Sequence, residues 1–423
     1  MMPQRKDMKN RNLLPGEYQK SDGRYEYRYT DTNGKQRSVY SWMLTQTDRP
    51  PAGKSSPKCL REIEREIAKD LQDEIDRFKA RKMTLNAFYL DYIENKKELK
   101  ETTRVNYKYM YKTFVWEEFG AKKLPDIKYS DVKRFYNHLM RDCHMKPNTL
   151  ETIHTILHPI FGTAVRDGYI RTNPTDGVMA EIKKSNDWEK PKRHALTESQ
   201  QIAFIEYIRD HQTYSHWLPL MTVLLGTGGR VGEILGLTWD DVDFSNEVIN
   251  INHNLLYHIS EETGKAKLSV GTPKTRSGER EIPMFSAVKE TLLKLYEEQK
   301  CDGFCKTNVD GYTGFIFMNR FGDVLTPPCV NRVINRVLRD YNIEEGMRAE
   351  KEDREPTYLP HFSVHNLRHT FCTRMCENET NLKIIQEIMG HSDITTTMDI
   401  YNEATREKKR ESFSNLEGKM KIC

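Results

Sequence analysis

Two arginines, a lysine and two histidines stand in short polar motifs along the second half of this chain: Arg230 in TGGRVGE, Lys274 in TPKTRSGER, His365 and Arg368 in HNLRHT, and His391 in GHSD. Tyr401, in DIYNEAT, follows ten residues after His391. Guanidinium and ammonium groups bind and neutralise phosphate oxygens. Histidine exchanges protons near neutral pH. A phenol becomes a nucleophile when a base and positive charge assist it. These residue types together suit attack on a phosphodiester by a tyrosine oxygen. Neither a carboxylate cluster at metal-ligand spacing nor a Gly-rich nucleotide loop accompanies them.

Each residue also has a local reading. Gly228-Gly229 is a turn that can start a helix at Arg230, so free N–H groups and a guanidinium would face one anion. Glu233, three residues on, shares a helix face with Arg230 and can hold it from behind. Lys274 sits where a strand meets a turn ending in Gly278, a mobile place that suits a proton donor. His365 and Arg368 are three apart on a helix that Ser363 can cap. Gly390 can end one helix and Ser392-Asp393 begin another, leaving His391 at the junction. Tyr401 recurs at helical spacing with Ile394, Thr397 and Met398, as a core residue would. Chemistry alone does not single it out among 21 tyrosines.

The ordered motifs resemble those of the tyrosine recombinases, also called phage-type integrases, and among them the integrases of conjugative transposons and related integrative and conjugative elements. The resemblance covers TGGR, PKTxSGER with Arg276 at its variable position, HxLRHT, and GH followed by Tyr. It departs where Asn366 stands in place of the usual Asp. It implies that Arg230, Arg368 and His391 hold the scissile phosphate, and that Tyr401 attacks phosphorus to form a 3′-phosphotyrosine. Lys274 would protonate the leaving 5′ oxygen and His365 would handle the tyrosine proton. The family's chemistry needs no cofactor, neither ATP nor a divalent metal. Its partners would be double-stranded DNA with core and arm sites, a homotetramer on that DNA, and an accessory excision factor. A type IB topoisomerase shares the chemistry, but the N-terminal module and the short tail after Tyr401 favour a recombinase. A catalytically dead DNA-binding regulator would lack one of these residues.

The elements that must position them read as a mainly α fold with small β-sheets (α+β). Residues 1–80 read as an arm-type DNA-binding domain of three strands and a helix. The strands lie near Leu13 to Tyr18, at Arg24 to Tyr29 and at Lys35 to Trp42, with an Asn33-Gly34 turn between the last two. The helix runs over 58–79, with Leu60, Ile63, Ile67, Leu71, Ile75 and Phe78 at three- and four-residue spacing. Tyr25, Tyr27 and Tyr29 would face this helix, leaving Arg24, Glu26 and Arg28 outside. Lys20, Arg24, Arg28 and Tyr40 are the candidate DNA contacts of this module. Residues 83–180 read as a helical core-binding domain, with helices at 84–98, 102–119, 129–142 and 147–166, caps at Thr84 and Ser130, and DNA contacts at Arg104 and Lys108. Residues 181–193 are a polar, basic linker, and 194–423 a mixed α/β catalytic domain with a C-terminal tail. In that domain the periodicity predicts helices at 197–210, 215–226, 230–236, 286–299, 327–341, 363–376, 381–389 and 392–402. Strands are predicted near 247–252, 266–273 and 279–284.

Charge is distributed to match. Residues 1–58 carry 12 Lys and Arg against 6 Asp and Glu, whereas residues 185–423 sum to −6. A cationic N-terminal half would steer a polyanion. The N-terminus, MMPQRKDMKNRN, lacks an apolar signal core, and no apolar run approaches the ~20 residues of a membrane span. A cytoplasmic, nucleoid-associated protein with no membrane partner is therefore expected. The eight cysteines have no second ligand pair at zinc spacing and read as reduced thiols. Phe413, Leu416 and Met420 form a narrow apolar stripe in the tail, which the resemblance would dock on a neighbouring protomer.

Overall fold

A computed structural model describes residues 5–32, 34–185, 188, 194–272, 278–379 and 381–402. Lys274, Arg276, Asn33, most of the expected linker and the tail stripe lie outside the described residues. The chain divides into two compact units, Met1–Lys190 and Pro191–Cys423.

The first unit opens with an antiparallel sheet, β1 (Glu17–Gln19), β2 (Tyr25–Thr30) and β3 (Gln36–Ser41), in that order. β1 starts later than expected because the Leu14 N–H donates to the Glu17 carboxylate (2.6 Å) instead of to a strand. Alternation in β2 sorts the two faces as expected. Tyr25 is buried with Leu44 and Leu60, and Tyr27 packs against them. The helix expected over 58–79 breaks in two. α1 (Leu60–Gln72) ends at Asp73, Glu74 takes a left-handed φ of +55°, and α2 (Arg77–Lys82) follows. The apolar period runs through the break because Ile75 still lies beside Ile67 and Tyr29; periodicity does not register one left-handed residue.

Among the described residues the unit continues with α3 (Leu85–Asn95), α4 (Glu101–Phe114), α5 (Tyr129–Arg141), α6 (Pro147–Arg166) and α7 (Val178–Ile182). Thr84 caps α3 as expected, its hydroxyl accepting from the Ala87 N–H (3.2 Å). Ser130 is not a cap. The Asp131 carboxylate accepts from the Lys128 N–H (3.1 Å), so α5 starts one residue before Ser130. α4 stops at Phe114 rather than 119, since the Val115 and Trp116 N–H groups both close on the Tyr111 carbonyl. That turn sends Phe119 into the core, stacked on Phe135 at 4.4 Å. α6 is the spine. Leu150, Ile153, Ile156, Leu157, Ile160 and Phe161 are buried along it, each contributing about 1.5–3 kcal/mol of transfer free energy. Ala80 of α2 belongs to the same core. Arg171 bridges Asp70 and Asp73 (2.5 Å each), which fastens the end of α1 to this bundle.

The second unit contains α8 (Glu198–Asp210), α9 (Leu218–Thr227), α10 (Val231–Gly236), α11 (Ser286–Asp302), α12 (Pro327–Lys351), α13 (Val364–Asn378), α14 (Leu382–Met389) and a further helical segment over 394–402. Its strands form two sheets. β4 (Val242–Asp243), β5 (Val248–Ile251) and β8 (Arg280–Pro283) make one, and β6 (Asn254–Ile259) with β7 (Ala266–Gly271) makes a separate hairpin. Sequence reading missed β6, because its burial does not follow clean alternation and Tyr257 and Ile259 are exposed. It also ended α12 at 341. The next inward position, Glu345, is charged, yet it is buried and satisfied by Arg354 (2.6 Å) and the Thr357 N–H (3.0 Å). A buried ion pair thus continues a stripe that apolar periodicity cannot follow.

Candidate active site

α9 ends at Gly228 with φ of +60°, and a Cβ there would meet the Phe371 ring at 2.3 Å. Glycine is required on both counts. The chain then turns, and Arg230 caps α10. Its N–H donates to Glu233 Oε2 (2.9 Å), and its guanidinium donates to Glu233 Oε1 (2.7 Å) and to the Gly390 carbonyl (3.3 Å). Glu233 is buried, as a residue behind Arg230 should be. It has a second partner that sequence reasoning missed. Arg280, at the start of β8, donates to Glu233 Oε2 (2.8 Å) and to the Ile388 carbonyl (2.7 Å), with a side chain only 6 % exposed. Burial pushes the Glu233 carboxyl up, but Arg280 first and Arg230 second outweigh it and hold it at about 2. The signal for Arg280 was present in the GER that closes the lysine motif, a second arginine beside the one at the variable position.

Arg368 projects from α13 into the same place. It is buried, and its guanidinium donates to the Gly228 carbonyl (2.8 Å) and the Met389 carbonyl, the ends of α9 and α14. Burial, then the charge of Arg230, pushes it down to about 9, so it stays protonated at neutral pH. Three guanidiniums therefore surround one carboxylate, and the deepest is held by neutral carbonyls. Such a site is short of negative charge, which suits it to an anion.

His391 follows Gly390, whose φ of +60° ends α14. It is buried, with Nδ1 2.9 Å from the Thr397 hydroxyl. That contact orients the ring and leaves Nε2 as its other hydrogen-bonding atom. Burial, then the charges of Arg368, Arg230 and Arg280, pushes His391 down to about 4, so it is neutral at pH 7. His365 lies one residue into α13, is exposed, and its charge acts on His391. Ser363 precedes α13, and its N–H donates to the Asn366 carboxamide oxygen (3.0 Å). The Asn366 amide donates to the His194 carbonyl (3.1 Å), a bond that the usual Asp would not make. Tyr401 is half-buried against the cluster formed by Phe371, Cys372, Cys376, Ile385 and Met389, and the Met389 carbonyl also receives the Arg368 guanidinium. The structure thus brings Arg230, Glu233, Arg368 and His391 together.

One consequence is measurable. The folded pKa of His391 lies below its unfolded value of 6.5, so protons favour the unfolded chain. Its contribution to stability is complete above about pH 6.5 and is lost as pH falls toward about 4. His154, pushed down to about 4 by burial and then His158, acts in the same direction. Thermal midpoints measured across that window should fall, and His391→Gln should make the fall shallower. An unchanged slope in the variant would remove His391 from the account.

The other expected contacts lie in the first unit. Lys20 and Arg24 stack over the Tyr40 ring (4.5 and 5.7 Å), and Arg28 over Tyr18 (4.5 Å). Tyr40 also donates to Glu26 (3.2 Å), which pairs with Arg28 (3.1 Å). The row extends further than expected, since Arg24 and Lys54 flank Trp42 (5.6 and 5.5 Å). Trp42 lies just past the end of β3 and shares Arg24 with Tyr40. Arg104 and Lys108 stand one turn apart on α4, both half-buried.

Comparison with known proteins points one way. Residues 194–408 match the model described as the phage integrase family. Residues 1–71 match the DNA binding domain of Tn916 integrase, and residues 84–140 the N-terminal SAM-like domain of phage integrase. The chain is 34% identical over 405 residues to the transposase from transposon Tn916 of Enterococcus faecalis, covering 96% of this chain and 95% of that protein. The transposase from transposon Tn1545 of Streptococcus pneumoniae matches to the same extent. Among solved structures, the Tn1549 transposon integrase in complex with a circular intermediate DNA is similar at 29% identity and a TM-score of 0.66, covering 78% of this chain and 99% of that one.

Proposed function

From the premise that the chain belongs to the phage integrase family and is a tyrosine-type site-specific recombinase of the conjugative-transposon kind, we propose that it breaks and rejoins DNA through a phosphotyrosine at Tyr401, moving a mobile element into and out of a DNA site. The observation that carries this reading is the buried guanidinium of Arg368, held by two carbonyls beside Arg230 and a neutral His391. Those three groups bind the non-bridging oxygens and stabilise the charge that builds on phosphorus in the transition state. Glu233 and Arg280 hold Arg230 and the end of α14 in register. Tyr401 attacks, and a 3′-phosphotyrosine forms as the 5′ oxygen leaves. His365 takes the phenolic proton. Lys274 supplies a proton to the 5′ oxygen, a role that rests on its motif. The ester keeps the bond energy, so attack by the 5′ hydroxyl of another strand completes the exchange.

Two duplexes need four such sites, which supports a homotetramer on DNA, with an accessory factor for excision and a cytoplasmic, nucleoid-associated setting. Residues 83–180 would grip the core site, Arg104 and Lys108 among the residues that touch it, and the tail would tie neighbours together. A nicked attachment site that traps the covalent adduct tests the central claim. Adduct on Tyr401 supports it, and an adduct on another residue overturns it.

The sheet face of Lys20, Arg24, Arg28, Tyr40, Trp42 and Lys54 would read arm sites in the major groove. Because Ala80 packs in the bundle core, the clean truncation removes residues 1–76. It should spare cleavage of a core site and lower the affinity for DNA carrying arm sites. The slope of log affinity against log salt should become shallower by about 0.9 for each phosphate that is no longer neutralised. An unchanged slope in the truncated protein would show that this face does not engage DNA.

A further inference from the structure

Cys143 sits in the short connection after α5, where the backbone leaves little freedom. The Asp142 and Cys143 N–H groups both close on the His138 carbonyl (2.9 and 3.2 Å), and the Met145 N–H closes on Leu139 (3.0 Å). His144 takes a left-handed φ of +48°, and Met145 is buried. This helix end places two side chains on opposite edges of one imidazole. The Asp142 carboxylate lies 2.6 Å from His138 Nδ1, and the Cys143 Sγ lies 3.7 Å from His138 Nε2. In the tautomer that donates its Nδ1 proton to Asp142, Nε2 is the acceptor that faces the thiol. Acid, imidazole and nucleophile are then in the order that activates a cysteine. All three are exposed.

A cavity of about 420 Å³ has His138 and Asp142 in its wall, and Cys143 reaches it through its contact with the His138 ring. Phe119 and Phe135, stacked within 8° of parallel, line it. Lys122, Arg134 and Arg141 stand around it, with Glu118 and Asp131 as further acids. Asp131 is already shared by Lys122 (3.8 Å) and Arg134 (3.9 Å). A planar aromatic molecule fits the apolar wall, while the rim carries three acids and three bases and so sets no preference of charge.

We propose that Cys143 is a reactive thiol that forms mixed disulfides with small aromatic disulfides seated against Phe119 and Phe135 in this cavity. His138 Nε2 takes the thiol proton, and the imidazolium is held by Asp142. The thiolate attacks one sulfur of the incoming disulfide. A bond forms between Cys143 Sγ and that sulfur, the original S–S bond breaks, and the departing thiolate carries away the electron pair and then the proton from His138. Cys143 is oxidised and the small disulfide is reduced, so no other oxidant is required. The reaction makes this unit responsive to the thiol–disulfide balance around it.

Cys301 is also exposed and serves as the internal comparator. The full-length protein is treated at neutral pH with dithiobis-nitrobenzoate, an aromatic disulfide carrying two carboxylates, and each cysteine is followed by peptide mass spectrometry after quenching. Cys143 should be modified at least about tenfold faster than Cys301. His138→Gln should bring Cys143 to the Cys301 rate without altering the Cys301 rate or the circular dichroism, and Asp142→Asn should give an intermediate rate. The aliphatic dithiodiethanol should show a smaller preference for Cys143. Equal rates at Cys143 and Cys301, or a Cys143 rate untouched by His138→Gln, overturns the proposal. Equal preference with the aliphatic disulfide overturns the cavity's part in it.

Discussion

Tyr401→Phe should yield no covalent protein–DNA adduct while binding a core site almost as the native protein does. The substitution removes one oxygen and keeps the ring that packs against the small apolar cluster of α13 and α14, so the surrounding structure has no reason to move. Loss of a nucleophile is among the largest single effects in catalysis, a fall of at least about 10⁴, whereas one hydroxyl contributes little to an interface whose affinity comes mostly from phosphate contacts. The two readouts therefore separate. Native cleavage should also persist in excess EDTA, because Arg230 and Arg368 supply the positive charge that a metal would otherwise bring. An adduct that survives in Tyr401→Phe moves the nucleophile elsewhere, and cleavage that stops on chelation places the charge on a metal.

The parts of this chain that were legible in its sequence are those where one local rule dominates. Thr84 is followed by apolar spacing and caps α3. Tyr25 and Tyr27 alternate with Arg24, Glu26 and Arg28, and the sheet divides them between its faces. The Gly-Gly pair before Arg230 and the glycine before His391 both mark helix ends that meet at the site. What escaped was set by partners distant in sequence. β6 lacks the alternation that marks a half-buried strand, and it is defined by pairing with β7. α12 continues because Arg354 neutralises Glu345. α1 breaks at Glu74 although its apolar period does not. Arg280 escaped for the same reason. Its one local partner, the Gly278 carbonyl (3.3 Å), carries no charge; the partners that account for a buried arginine are Glu233, 47 positions back, and Ile388, 108 positions ahead.

Replacing Arg368 by alanine should reduce cleavage by about 10²–10³ or more, as removal of a charged group aimed at the developing oxyanion does. The effect on folding should be far smaller, because two terms oppose. Removing a guanidinium that burial pushes down to about 9 relieves an unfavourable charge, whereas the Gly228 and Met389 carbonyls lose their donor, at about 1–3 kcal/mol each if water cannot reach them. Arg280→Met provides the contrast. Arg280 reaches the reaction only through Glu233 and the Ile388 carbonyl, so its loss should cost less in cleavage and more in stability. Glu233 would keep only Arg230 as a cationic partner, and an uncompensated buried carboxylate is costly. The two variants should therefore rank oppositely in cleavage rate and in thermal midpoint. If Arg368→Ala unfolds the protein while Arg280→Met abolishes cleavage at native stability, the roles are reversed, and the charge that meets the phosphate belongs to the strand rather than to α13.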